Sequence, residues 1–270
     1  MTFFDSSGYC LASTNSRVFS QNKKNYYKFA DEKINIEKIY ENLKQFGNVP
    51  KYFSLQDFIS CEKKLVSSIK NDSNFNNILF GPSIPFVYQN DSIDLDLGLM
   101  LENSLLPCLK NSFESMFPDS HFKAILQANS KLKSTISLSQ HSRYEIFIKS
   151  LKRGTFGLFF PLAFKEFDVE SQRSIISNLP SSKEFNICLS GGIDVCSALI
   201  GMPNLLINKH SYSPILCLSA YQHIDERLIL LIKSYGPHLE FWCMSQMLTP
   251  NTKQVSEQWS AGLTIFSEIN

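Results

Sequence analysis

Residues 185–199, FNICLSGGIDVCSAL, carry the pattern with the clearest chemical meaning in the chain. An apolar run, Phe185–Leu189, meets Ser190, Gly191 and Gly192 and continues into a segment with helical spacing. Two consecutive glycines let backbone N–H groups converge on an anion, and the unpaired N–H groups and dipole of a following helix act on the same spot. A phosphate or carboxylate is the ligand such a turn would hold. Asp194 would orient that ligand or a metal. His223 would move protons, provided that the apolar run before it, Ile215–Ser219, neighbours the first. Ser219 and Ser245 end two further runs and would wall the site, while Lys131 supplies a cation to neutralise ligand charge.

The pentapeptide Ser190-Gly191-Gly192-Ile193-Asp194 is similar to the start of the SGGxDS loop of the PP-loop ATP pyrophosphatase family. The resemblance covers about six residues. It implies a strand, a glycine turn and a helix N-terminus that together hold a nucleotide's pyrophosphate. Val195 stands where that loop has its second hydroxyl, and the turn comes late, whereas that fold places its loop on an early strand. Two other readings stay open. The turn is a different phosphate or carboxylate site, or it is purely structural, with Ser190 or Asp194 capping the helix and the glycines allowing close packing on the sheet.

Weaker signals lie elsewhere. Asp94-Leu95-Asp96 has the spacing of carboxylate pairs that bind a divalent cation, since alternate side chains on an extended chain face the same way, but acids in a first helical turn also favour the helix dipole. Residues 129–143, NSKLKSTISLSQHSR, offer hydroxyls and bases as a phosphate clamp or as a solvated loop. Cys196, near a helix N-terminus, is a candidate thiolate, although its apolar neighbours favour burial. The tail from Phe241 to Phe266 combines both tryptophans with Met244 and Met247, which suits an adaptable protein-binding surface or a core.

The elements that must position these residues follow from periodicity. Residues 1–25 are polar and aperiodic. Ile36, Ile39, Tyr40 and Leu43 share one helical face that Gly47 and Pro50 end, and Ser54 with Asp57 forms a capping box for a second helix. The Asn-rich stretch 71–77 reads as a linker. Beyond it, strands alternate with helices. Ser92–Phe117 reads as a long apolar-rich, helix-like segment that Pro107 should kink or split, and Ile224, Leu228, Leu231, Ile232 and Tyr235 read as a helix stopped by Gly236-Pro237. Apolar strands joined by helices predict an α/β fold, a mainly parallel sheet with helices on both faces, spanning 76–270, preceded by a helical appendage over 1–75. Ligands in such sheets bind where strand C-termini meet helix N-termini, which selects the loops at 128–131, 161, 190–194, 219–223 and 245–249.

Composition sets bounds. The chain has 270 residues, 43% of them hydrophobic, with 26 basic against 25 acidic side chains. So even a balance gives no field that would attract nucleic acid or an anionic membrane, although residues 121–153 concentrate seven bases against Glu145. Seven cysteines without paired spacing support neither a disulfide framework nor a zinc site, and they point to a reducing, cytoplasmic setting. No run of apolar residues is long enough to insert in a membrane. No metal site and no particular cofactor is assigned. The expected function is an enzyme or binding protein for an anionic, phosphate- or carboxylate-bearing small molecule, a nucleotide among the candidates, at the Ser190 turn. The alternative is a non-catalytic protein whose N-terminal helices and Trp/Met-rich tail engage a protein partner.

Overall fold

A computed structural model describes residues 2–12, 27–29, 33–90, 96–126, 131–208, 210–245 and 258–269. In chain order the elements are α1 (Ile36–Phe46), α2 (Leu55–Asn71), β1 (Ile84–Tyr88), α3 (Leu97–Met100), α4 (Leu106–Met116), β2 (Phe122–Ile125), β3 (Ile136–Leu138), α5 (Tyr144–Ser150), β4 (Thr155–Phe160) and α6 (Val169–Asn178). They are followed by β5 (Asn186–Leu189), α7 (Gly192–Gly201), β6 (Ile215–Cys217), β7 (Tyr221–His223), β8 (Leu228–Tyr235), β9 (His238–Ser245), β10 (Trp259–Ala261) and β11 (Leu263–Glu268).

The expectation of a mainly parallel sheet is overturned. One sheet has the order β1-β4-β11-β5 and is antiparallel throughout. A second, β10-β6-β8-β9-β2, is mixed, with parallel pairs only at its two edges. A two-stranded ribbon joins β3 to β7. One source of the error in the second sheet is residues 224–235. Their apolar spacing fits a helix, but the contiguous LILLI run forms β8, whose partner β9 returns through Gly236-Pro237, with Tyr235 paired to His238 and Gly236 at φ +59°. A run this apolar satisfies either period, and the two-residue turn with a left-handed glycine selects the hairpin. The C-terminal β11 then inserts between β4 and β5, so two adjoining strands of this sheet come from distant parts of the chain.

The helices follow their capping signals. Asn35 caps α1 by accepting the Lys38 N–H, and Ser54 and Asp57 form the reciprocal capping box of α2. Neither helix is appended to the rest. Ile39, Tyr40 and Leu43 of α1 and Phe58, Leu65 and Ile69 of α2 belong to the same core as the sheets, and Gly201 of α7 abuts Ile39. Between α3 and α4 lies a π-turn, Leu101–Leu105, in which the Leu106 N–H reaches back to the Leu101 carbonyl. That wider turn falls directly before Pro107, which has no N–H and would crowd the carbonyl four residues back in a regular helix.

The centre of the molecule is α7. All ten of its residues are buried, consistent with a sequence apolar on every face. It packs on β1 and β4 on one side and on α1 and α4 on the other.

Candidate functional site

The Ser190 turn is assembled from three distant segments. Arg143 adopts φ +60°, and its guanidinium donates to the Leu179 and Pro180 carbonyls that follow α6. With the Ser142 carbonyl accepting the Leu189 N–H at 3.0 Å, this sets Tyr144 over the end of β5. From the other side the Ser190 carbonyl accepts the Ala220 N–H at 2.9 Å, which lays Tyr221 against the glycines. The two tyrosine rings meet edge to face at 5.5 Å between centroids.

Asp194 occupies the anion position at the helix start. Its Oδ1 accepts the Tyr144 hydroxyl at 2.7 Å and the Gly191 N–H at 2.9 Å, and its Oδ2 accepts the Thr264 hydroxyl at 2.5 Å. The Tyr144 hydroxyl also accepts the Ile193 N–H, and Thr264 touches the Ser190 hydroxyl at 3.2 Å. Burial raises the Asp194 carboxyl above the usual range, against the lowering effect of these donors. Burial likewise raises the Tyr144 and Tyr221 hydroxyls, and the nearby Asp194 charge raises them further.

This turn leaves no space for an incoming ligand. A methyl group added at Gly191 would lie 2.7 Å from Tyr221 and 2.8 Å from Tyr144, and one at Gly192 would lie 2.6 Å from Tyr221. Ser190 and Asp194 are wholly buried. The Gly191 and Ile193 N–H groups are matched by the chain's own carboxylate and phenol.

The remaining residues expected at the site are divided. The 219–220 segment adjoins the Ser190 turn through the Ala220 N–H, although β5 and β6 lie in different sheets and are not the neighbouring strands that the sequence argument required. The Ser219 hydroxyl, however, donates to Gln172 and its carbonyl accepts from Arg173, and the His223 Nδ1 accepts the Asp225 N–H at 2.9 Å. Ser245 pairs with Leu228 at the far end of the β8–β9 hairpin, and 246–249 lie outside the described residues. Cys196 is buried, and desolvation pushes its thiol well up, so it is not a thiolate. All seven cysteines are free. Of the acidic pair, Asp94 lies outside the described residues, while Asp96 caps α3 through the Leu99 N–H. In the aromatic tail Trp259 is buried and Trp242 donates to Glu240, whereas 246–257 lie outside the described residues. Among the described residues no cluster of three metal-ligating side chains occurs, and no helix is long and apolar enough to cross a membrane.

Lys131 belongs to a different place, an open groove of about 830 Å³ between the α3–α4 helix and β2. Leu99, Leu106 and Pro107 form one apolar wall, and Phe122, Ala124 and Leu126, alternating along β2, form the other. Lys110, Lys131 and Lys133 stand exposed along it, and none has an ion-pair or hydrogen-bond partner among the described residues. The one acid in the lining, Glu102, accepts the Leu132 N–H at 2.7 Å. Asp96 holds the same loop by accepting the Ser134 N–H at 2.8 Å, and its carboxyl is lowered first by the Leu99 N–H and then by Ser134. Gly98 makes the docking feasible, because a Cβ there would fall 1.7 Å from the Leu132 carbonyl oxygen.

Sequence reasoning missed Lys110 and the apolar walls, whereas Lys133 lies in the 129–143 stretch that its bases had already singled out. The signal for one wall was present in the alternation of Phe122, Ala124 and Leu126, but nothing local joins β2 to α4. No protein family, curated protein or solved structure matches this chain.

Proposed function

We propose that the protein binds an amphipathic anion, a small molecule with a carboxylate or phosphate head and an apolar body, in the groove between α4 and β2. The observation that carries this reading is the coincidence of three ammonium groups without partners with two apolar walls in one cavity of about 830 Å³. Ligand pockets commonly measure about 300–1,000 Å³ and combine a mainly apolar lining with a few polar groups that fix orientation. An anion there meets cations that no neighbouring acid neutralises, since Glu102 is committed to the backbone of the loop that carries Lys131 and Lys133. The expected anionic ligand is thus retained, and its seat moves from the Ser190 turn to the lysine groove. Seven free cysteines suit a reducing compartment, and we place this activity in the cytoplasm.

The test is equilibrium titration with dodecyl phosphate and with uncharged dodecanol. The phosphate should bind more tightly, with an affinity that falls as salt rises. The double variant Lys131→Glu, Lys133→Glu should weaken it by about tenfold or more, the loss of on the order of 1–2 kcal/mol expected for removed charge contacts at a partly exposed site. Equal binding of both probes, or of the phosphate by wild type and variant, would sink the reading.

A further inference from the structure

A second cavity, of about 670 Å³, lies at the opposite edge of the mixed sheet, between the start of β6 and the β8–β9 turn. Tyr27, Tyr212 and Tyr235 line it. Tyr212 is 73% exposed and Tyr235 69% exposed, large values for aromatic side chains that could have been buried. Tyr27 and Tyr212 are tied together by a backbone bridge, with the Lys28 N–H donating to the Tyr212 carbonyl at 2.8 Å, and their rings lie 6.0 Å apart at a 40° tilt. The aromatic faces are therefore held in place, not left on a loose strand end.

The polar lining is neutral in character. It consists of hydroxyl and amide side chains such as Ser211, Ser234 and Gln258, with His210 at one side. The one ammonium, Lys233, is already engaged, 4.3 Å above the Trp242 ring and 4.0 Å from a Glu240 carboxylate oxygen. Ser211 Oγ is buried with no hydrogen-bond partner among the described residues, a hydroxyl left in this wall with its bonding need unmet.

We propose that this cavity is a binding site for a neutral oligosaccharide. Tyrosine faces offer an apolar surface to the C–H faces of pyranose rings, while phenol and serine hydroxyls exchange hydrogen bonds with sugar hydroxyls. A phosphorylated ligand would find no uncommitted ammonium here. The Tyr27 and Tyr212 rings, 6.0 Å apart at a 40° tilt, form no parallel slot for a flat base, so a nucleobase could stack on one ring face only. This site is separate from the lysine groove and stands without it.

The experiment is a printed array of neutral and acidic glycans probed with the full chain, followed by calorimetric titration of the best neutral oligosaccharide. Binding to neutral glycans is expected, with Tyr212→Ala and Tyr235→Ala each lowering affinity tenfold or more and Tyr212→Phe keeping most of it. Circular dichroism and melting curves of each variant establish that it is folded, and Lys131→Glu, in the other groove, should leave saccharide affinity unchanged. The proposal is overturned if no neutral glycan binds, if only acidic glycans or nucleosides bind, or if the folded Tyr212→Ala, Tyr235→Ala double variant binds the saccharide like wild type.

Discussion

The Ser190 turn and the lysine groove are opposite solutions to the presence of charge. At the turn, the Gly191 N–H and the Tyr144 and Thr264 hydroxyls converge on a wholly buried carboxylate from the same chain, and of the groups around it the Tyr221 hydroxyl is buried without a hydrogen-bond partner among the described residues. In the groove, the acids Asp96 and Glu102 are spent on holding a loop, and the ammonium groups they might have neutralised remain open. A buried polar group must be satisfied internally because water cannot reach it, whereas an exposed one can wait in solvent for a ligand. The residues with the stronger motif are thus bonded to one another in the interior, and those with the weaker motif face solvent.

Four outcomes would break or sharpen that contrast, and the largest concerns Asp194. Replacing it with alanine strands the Tyr144 and Thr264 hydroxyls and the Gly191 N–H in the interior, and should cost on the order of 3–5 kcal/mol. Asp194→Asn keeps one acceptor oxygen and should cost much less. Urea denaturation of both variants decides, and an Asp194→Ala protein as stable as wild type would mean that the network contributes nothing.

Next in size are the glycines. Gly192→Ala forces a methyl to 2.6 Å from the Tyr221 ring and 2.8 Å from Leu101, both buried, so overpacking should cost about 1–3 kcal/mol without affecting ligand affinity in the groove. Gly98→Ala should do the reverse. It pushes the 131–134 loop off α3, and dodecyl phosphate affinity should fall even in protein that remains folded. If Gly192→Ala abolishes that binding while Gly98→Ala spares it, the assignments of the two regions must be exchanged.

A pH profile gives a smaller effect. The Asp194 carboxyl is raised in the folded protein, so the folded state binds its proton more readily than the unfolded chain does. Its contribution is full below the unfolded carboxyl value of about 3.9 and is lost as pH rises through the folded value. Wild type minus Asp194→Asn stability, measured across that window, should therefore decline with rising pH. A flat or rising difference would show that the hydrogen bonds outweigh burial.

The smallest stability effect belongs to the groove lysines. Exposed and unpaired, Lys131 and Lys133 should each change stability by no more than about 0.5 kcal/mol when replaced by alanine, while ligand affinity falls. A melting temperature that drops sharply in either variant would show a structural role for the ammonium.

Local signals in the sequence proved dependable where the interaction is itself local. The Ser54–Asp57 capping box, Gly47 as the end of α1 and the strand-turn-helix at Phe185–Leu199 were all legible, because each depends on residues a few positions apart. The helical reading of 224–235 failed because a continuous apolar run does not distinguish periods, and the partner that makes it a strand is the next hairpin arm. The occupant of the glycine turn was equally invisible. Tyr144 lies 50 residues before Asp194 and Thr264 lies 70 after it, and only folding brings their hydroxyls to one carboxylate. The sequence by itself determined a strand, a glycine turn and a helix start suited to an anion, and left open whether a ligand or a cap such as Asp194 would fill it. That the anion is Asp194, and that Lys110, Lys131 and Lys133 meet across an apolar groove, was decided by tertiary packing, since hydrogen-bond satisfaction and cavity shape depend on contacts between segments that no local pattern encodes.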